Sequence, residues 1–203
     1  MKDFWDNRYQ QEEYAYGTQA NEYLKEVLPK YSPGKILFPA DGEGRNSVFA
    51  ATLGWDAYAF DISTEGQRKA EKLALDNNTT IHYKISDLDE GLFPHNTYSA
   101  VALIYSHFPL QLRTKMYQWI KTCLIPNGVL IVEAFSLHNL EYQKINPYIG
   151  GPSDSDMLYT LEELMLNFSE FNIIQAEECE VELHEGKYHN GFGSVIRFEA
   201  RKP

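Results

Sequence analysis

The residues with the clearest chemical pattern lie between Ile36 and Ser63, in ILFPADGEGRNSVFAATLGWDAYAFDIS. An apolar run ends in Pro39 and opens into Asp41-Gly42-Glu43-Gly44, and a second apolar run closes on Asp61. Glycines remove Cβ atoms where a ligand must approach backbone. A helix beginning just behind them turns its free N–H groups towards that ligand. An acid at the end of the next strand is placed to accept two hydrogen bonds from a ribose diol. In open α/β sheets this region, beyond the carboxyl ends of the strands, is where ligands sit. Glycines alone also make structural turns. The strand and helix context and the spacing of the acid argue instead for a nucleoside-containing ligand, held by Ala40, Asp41, Gly42, Gly44, Asn46, Asp61 and Ile62. A dinucleotide fingerprint would place a third glycine where this chain has Ser47.

Three further groups follow later strands. Ser86-Asp87-Leu88 follows the third; Asp87 can accept from an exocyclic adenine amine and Leu88 can pack the ring, the alternative being a solvated turn acid. Tyr105-Ser106-His107 follows the fourth. Tyr105 there would border the ligand, and His107 would take a proton or orient a substrate, unless it only hydrogen-bonds the neighbouring loop. Arg113, on the next helix, is a candidate for attracting an anionic substrate. His184, Glu185 and His189 in HEGKYH do not have the His-Glu-x-x-His spacing and lie between strands, so no metal site is expected. That stretch reads as a substrate-facing loop or an ordinary hairpin connection.

The elements that must position these groups alternate. The segments KILF, DAYAF, TIHYKI, YSAVALIY and VLIVEAF read as strands. Between them NSVFAATLG, TEGQRKAEKLALDN (capped by Ser63) and LRTKMYQWIKTCL read as helices. This alternation predicts a parallel sheet with helices on both faces. DFWDNRYQQEEY and NEYLKEVLPK read as two leading helices, with Gly17-Thr18 before the second as its cap. After the fifth strand, residues 136–159 contain YIGGPSDSDML and read as a long loop whose Gly150-Gly151 pair is flexible. TLEELMLNF is a last helix, and NIIQAEECEVEL and GSVIRFEARK are two strands joined by HEGKYHNGF.

Composition narrows the classes. The chain has 203 residues, 43% apolar and 14% aromatic, the size of one α/β domain with a real core. A net charge of −11 with scattered Lys and Arg disfavours a nucleic-acid partner. Two cysteines, Cys123 and Cys179, fit reduced thiols rather than a disulfide framework. No apolar run reaches the length of a membrane span or a signal peptide. A soluble, cytoplasmic protein is expected.

The chain resembles the class I S-adenosylmethionine-dependent methyltransferases, and among them the tellurite-resistance (TehB-like) and thiopurine-methyltransferase-like group. The segments that carry this are FWDNRY, YAYGTQANEYL, GEGRNSVFAA, FDIS, SDL, SHFP, IPNGVLIVEAF, GGPSDSDML and LHEGKYHNGFGSVIRFEARK, in that order across nearly the whole chain. One departure is plain: these enzymes commonly carry an acid at the end of strand one, and the corresponding positions here are Phe38 and Ala40. The resemblance implies a Rossmann-like three-layer α/β sandwich whose seven-stranded, mostly parallel sheet ends in an antiparallel hairpin strand. It implies one domain over 1–203, with a helical cap over 1–32 and a lid-like insertion over 136–159. It implies S-adenosyl-L-methionine as cofactor, a small-molecule methyl acceptor such as a thiol or metalloid oxyanion, and Arg8, Tyr9 and Tyr16 folding over the cofactor. A binding protein without catalysis and a nucleotide-dependent oxidoreductase are the alternatives.

Overall fold

Residues 1–87 and 93–203 are described by the computed structural model of the chain. In chain order its elements are α1 (Lys2–Tyr9), α2 (Glu22–Val27), β1 (Lys35–Pro39), α3 (Arg45–Thr52), β2 (Asp56–Asp61), α4 (Thr64–Asp76), β3 (His82–Ile85), β4 (Tyr98–Ile104), α5 (Leu110–Cys123), β5 (Leu124–Phe135), α6 (Asn139–Ile145), α7 (Leu161–Asn167), β6 (Asn172–Glu185) and β7 (His189–Arg201). The strands form one sheet in the order β3-β2-β1-β4-β5-β7-β6. Every neighbouring pair is parallel except β5–β7 and β6–β7, so β7 alone runs against the rest.

The central strands read as continuous apolar runs because both their faces are buried. Side chains alternate between the faces. Leu37, Val101, Leu103, Leu130 and Val132 pack with Met116, Tyr117 and Ile120 of α5 and Leu164 and Phe168 of α7. Ile36, Phe38, Ala100, Ala102 and Ile131 pack on the other side, with Tyr23, Leu24 and Val27 of α2 and Ala70 of α4. These are the three layers expected. Among the described residues no helix is long and apolar enough to cross a membrane. Both cysteines are free thiols, Cys123 buried and Cys179 half-buried.

Local signals differ from the sequence reading at three places. The cap of α2 is Asn21, whose side chain accepts from the Leu24 N–H, rather than Gly17-Thr18. α1 stops at Tyr9, because Gln10 to Glu13 are all exposed and offer no apolar face to bury. The residues HEGKYHNGF are not a loose connection. β6 and β7 run on until Glu185 pairs with His189 across the short turn Gly186–Tyr188. Ser63 caps α4 as expected, accepting from the Gly66 N–H.

The insertion over 136–159 is built rather than loose. It contains α6 and two short 3-10 turns, and Ile149, Leu158 and Tyr159 are fully or almost fully buried. Gln143 Nε2 donates to the carbonyls of Gly150, Gly151 and Pro152, tying the segment to α6. Gly150 and Gly151 have φ of +83° and +88°. A Cβ on Gly150 would lie 2.2 Å from the Tyr188 carbonyl oxygen, and one on Gly151 would lie 2.8 Å from the Phe135 ring. The pair permits close packing against the hairpin and β5 instead of supplying a hinge. Gly150→Ala therefore forces a backbone shift in addition to a left-handed alanine. It lowers stability by about 2–4 kcal/mol, read as the shift of the urea midpoint. An unchanged midpoint would refute the packing argument.

Candidate active site

A cavity of about 890 Å³ crosses the carboxyl ends of the central strands. Ala40, Asp41, Gly42, Asn46, Asp61, Ile62, Asp87, Tyr105 and His107 all line it. Phe60, Ile85, Phe108 and Leu112 supply apolar wall near Asp61 and Asp87, and Phe135, Gly151, Met157 and His189 line the far end. Leu88 lies outside the described residues. Gly44 and Arg113, both expected here, do not line the cavity. Gly44 has φ +83°, and a Cβ on it would meet the Ala70 Cβ at 2.4 Å, so its glycine lets α3 approach α4. Arg113 is buried on the other side. Its Nη1 donates to the Leu158 carbonyl at 2.7 Å, its Nε lies 2.9 Å from Glu163, and its guanidinium covers the Tyr159 ring. It holds the insertion rather than a substrate.

Among the described residues, the left-handed non-glycine residues other than asparagines both lie at the cavity floor. Ala40 (φ +53°) and Tyr105 (φ +51°), at the ends of the adjacent strands β1 and β4, are both left-handed non-glycine residues. Such strain persists only where the surroundings over-determine it, and it clusters at working sites. Ser106 Oγ donates to the Pro39 carbonyl at 2.6 Å and locks the two strand ends together. Asp61 ties the next pair of loops: Oδ2 accepts from the Gly42 N–H at 3.1 Å and Oδ1 from the Ser63 N–H at 2.9 Å. Burial pushes its carboxyl up, and these backbone donors pull it back.

Asp41 is different. Its Oδ2 is buried with no hydrogen-bond partner. Burial pushes the carboxyl up to about 7, with Ser47 only partly offsetting this. A carboxylate left this way is costly to ionise and is a socket for a cation.

His107 has no free nitrogen. Nδ1 lies 2.8 Å from the Met157 carbonyl, and Nε2 accepts from the Phe135 N–H at 3.3 Å. The carbonyl assigns the proton to Nδ1. Burial pulls the ring down to about 4, so it stays neutral. It braces the insertion against β5, the bracing role weighed from sequence, and both nitrogens are spent.

The sequence reading did not single out Arg45, Glu185 and His189 as a unit. Arg45, the first residue of α3, points back under the cavity; Nη2 donates to Glu185 Oε2 at 2.8 Å and Nη1 to the Gln19 carbonyl at 3.2 Å. The same Glu185 oxygen lies 3.0 Å from His189 Nδ1. Arg45 and its hydrogen bond hold Glu185 down to about 2 despite burial. Burial lowers His189 below the ordinary histidine value, with Glu185 opposing. Beside them Glu133 accepts from Asn21, Tyr105 and Arg197. The only sequence signal was HEGKYH, and it divides: His184 is exposed beside Glu182, whereas Glu185 and His189 turn inward.

The N-terminal segment closes one side. Arg8 donates to the Tyr16 hydroxyl at 2.9 Å and lies over Phe4, Trp5 and Tyr188. Arg8, Tyr9 and Tyr16 all line the cavity, where the expected cap would put them. Glu43 holds the segment down, pairing with Lys69 at 2.7 Å and accepting from the Ala15 N–H at 2.8 Å.

Comparison with known proteins agrees with this geometry. The family model of the tellurite resistance protein TehB matches residues 2–198. No curated protein sequence matches the chain. TehB from Haemophilus influenzae superposes with a TM-score of 0.75 at 17% identity, over 100% of this chain and 67% of that one. Magnesium protoporphyrin IX methyltransferase (ChlM) from Synechocystis PCC 6803, solved with bound S-adenosylhomocysteine, gives 0.69 at 17% identity, over 100% and 97%. A structure from work on the conversion of a disulfide bond into a thioacetal group during echinomycin biosynthesis gives 0.79 at 14% identity, over 100% and 92%. The shared feature at these identities is the fold, that of S-adenosylmethionine-dependent methyltransferases.

Proposed function

The chain belongs to the tellurite resistance protein TehB family, and from that premise we propose that it transfers the methyl group of S-adenosylmethionine to a small-molecule acceptor, a thiol or a metalloid oxyanion. The observation that carries this reading is Asp61. It is fixed between the Gly42 and Ser63 N–H groups at the floor of a cavity that continues into an aromatic-lined end. The residues present fit the cofactor. Asp61 would hold the ribose, Ile62, Ile85 and Phe108 the adenine, and Asp87 its exocyclic amine. The orphaned Asp41 oxygen supplies the negative charge that a cationic amino-acid end requires. It stands in for the acid missing at Phe38.

When bound, S-adenosylmethionine supplies an electrophilic methyl group on a sulfonium. The protein's own part is alignment and exclusion of water. Trp5, Tyr9 and Tyr16 from the N-terminal segment and Gly151 and Met157 from the insertion line the cavity. The far end, with Tyr105, Phe135 and His189, is where the acceptor would sit. The chain's net charge of −11 supports a small molecule over a nucleic acid.

Titration calorimetry tests the reading. The free protein should bind S-adenosylhomocysteine and not NAD. Asp61→Ala should weaken binding of S-adenosylhomocysteine and adenosine alike by about 1.5–3 kcal/mol, the worth of hydrogen bonds to a charged group. Binding of NAD alone would replace this reading with a nucleotide-dependent oxidoreductase. A loss confined to S-adenosylhomocysteine would remove the ribose assignment.

A further inference from the structure

The acceptor end of the cavity holds an acid–base pair that neither the family match nor the fold assigns. His189 lines the cavity and is buried among the rings of Tyr16, Tyr105 and Phe135, at centroid distances of 4.5, 4.5 and 5.1 Å. Its Nδ1 meets Glu185 Oε2 at 3.0 Å, and Arg45 Nη2 fixes that same oxygen at 2.8 Å. A carboxylate on Nδ1 fixes the tautomer: the proton sits on Nδ1, and Nε2 carries the lone pair. This is the arrangement of a general base with an orienting carboxylate. His107, at the same end, cannot serve, since both its nitrogens are engaged.

The charges around the site say what kind of acceptor it takes. Among the described residues lining the cavity, the cations are Lys2, Arg8 and Arg45. Lys2 pairs with Asp6, Arg8 donates to Tyr16 and covers three rings, and Arg45 is spent on Glu185 and the Gln19 carbonyl. An oxyanion would bring a negative charge beside Glu185 and Glu133, and the one lining cation without a carboxylate partner, Arg8, is stacked among three rings of the N-terminal segment and hairpin turn. A neutral molecule with a weakly acidic proton on its nucleophilic atom would meet aromatic walls and one free imidazole nitrogen.

We infer that His189, oriented by Glu185, is the general base of the methyl transfer and that the acceptor is a neutral thiol. The inference rests on the methyltransferase reading above. Nε2 takes the S–H proton as the thiol sulfur lone pair forms the new S–CH₃ bond. The C–S bond to the sulfonium breaks, and its electron pair stays on the departing sulfur. The products are a methyl thioether, S-adenosylhomocysteine and an imidazolium that returns its proton to water. The groups facing His189 are Glu185, Arg45, Arg8, Tyr16, Tyr105 and His107. Burial and the two arginines favour the neutral ring and Glu185 favours the charged one; the first set prevails, so the base is free at neutral pH.

Two measurements test this. In the free protein, ¹⁵N NMR of the histidine rings should show His189 protonated at Nδ1 only at pH 7, titrating below the ordinary histidine value. A proton on Nε2 instead would overturn the proposal, and this readout needs neither cofactor nor a variant. In single-turnover assays across thiols of graded acidity, His189→Gln should slow transfer to a weakly acidic thiol by about a hundredfold or more at pH 7. It should lose the low-pH limb of kcat/KM and recover towards the wild-type rate at high pH, where the thiol ionises unaided. Unchanged rates at pH 7, or methylation of a metalloid oxyanion with no thiol accepted, would overturn it. Calorimetry with S-adenosylhomocysteine separates the two levels: failure of the wild type to bind removes the methyltransferase reading itself. Normal binding by His189→Gln together with lost thiol transfer supports the base.

Discussion

Asparagine in place of Asp41 raises the melting temperature of the free protein at pH 8 and weakens its hold on S-adenosylhomocysteine. Both effects come from one buried oxygen without a partner. In the fold the carboxyl is pushed up to about 7, against an unfolded value near 4. The folded state thus binds the proton more tightly than the unfolded state. The stability tied to that proton is complete below about pH 4, and it is lost as pH rises through 7. Asparagine has no charge to bury and escapes the loss. The expected gain at pH 8 is on the order of 1–2 kcal/mol, roughly 2–8 °C for a chain of this size, and it fades towards pH 4. Binding responds in the opposite sense, because a cation at this place needs the ionised carboxylate. For the wild type, affinity rises with pH up to about 7 and then levels. Asp41→Asn flattens that profile and costs about 1.5–3 kcal/mol of binding at pH 8. 5′-Methylthioadenosine, which carries no cationic end, serves as the control. An equal loss for both ligands would mean that Asp41 acts through the shape of its loop and not through its charge.

Arg45→Met has the largest expected effect on stability. It removes the one full positive charge bonded to Glu185 and leaves a buried carboxylate with only Asn21 and His189 beside it. Breaking a buried pair in this way costs about 3–5 kcal/mol, measurable as a shift in the urea midpoint at pH 8. The deficit should shrink at pH 5.5. Without Arg45, Glu185 works against burial and Arg8 alone, so the folded His189 resists protonation less than it does in the wild type. The wild type loses stability as pH falls through the unfolded histidine value, because the folded ring binds the proton less tightly than the unfolded one, and the variant loses less of it. A deficit that stays constant from pH 5.5 to 8 would show that His189 does not share the Glu185 charge, and would count against the pairing inferred for catalysis.

Much of this molecule follows from residues that are neighbours in the chain. The apolar runs of β1, β4 and β5 demand burial on both faces, and the helical periods between them demand parallel crossovers, so sheet and layers are legible from pattern alone. Ser63 caps α4 through a bond three residues away. Gly42 and Asp61 meet because Gly42 lies in the loop leaving β1 and Asp61 ends β2, and adjacent parallel strands bring their carboxyl ends together. The end of the cavity around Asp61 is accordingly written in short-range signals, and the residues expected there line it, apart from Gly44 and Leu88, which lies outside the described residues.

The end of the cavity around Tyr105, Phe135 and His189 is decided by contacts that local sequence pattern does not announce. His107 stands just after β4 and His189 at the start of β7, and neither position by itself says which ring stays free. The difference is that Met157, fifty positions away, takes the Nδ1 of one ring, whereas Glu185 takes the Nδ1 of the other across a hairpin turn. Arg113 reads as a candidate from sequence and Arg45 does not. Arg113 faces the insertion and is consumed by Leu158 and Glu163, and Arg45 reaches a glutamate 140 residues on. Gly150 and Gly151 look like a hinge from composition and act as flat packing surfaces, because only the folded hairpin shows what a Cβ there would strike. A side chain's type limits what bonds it can make. Which bonds it does make, and therefore whether it remains free for chemistry, depends on what the sheet order and the long β6–β7 hairpin bring against it.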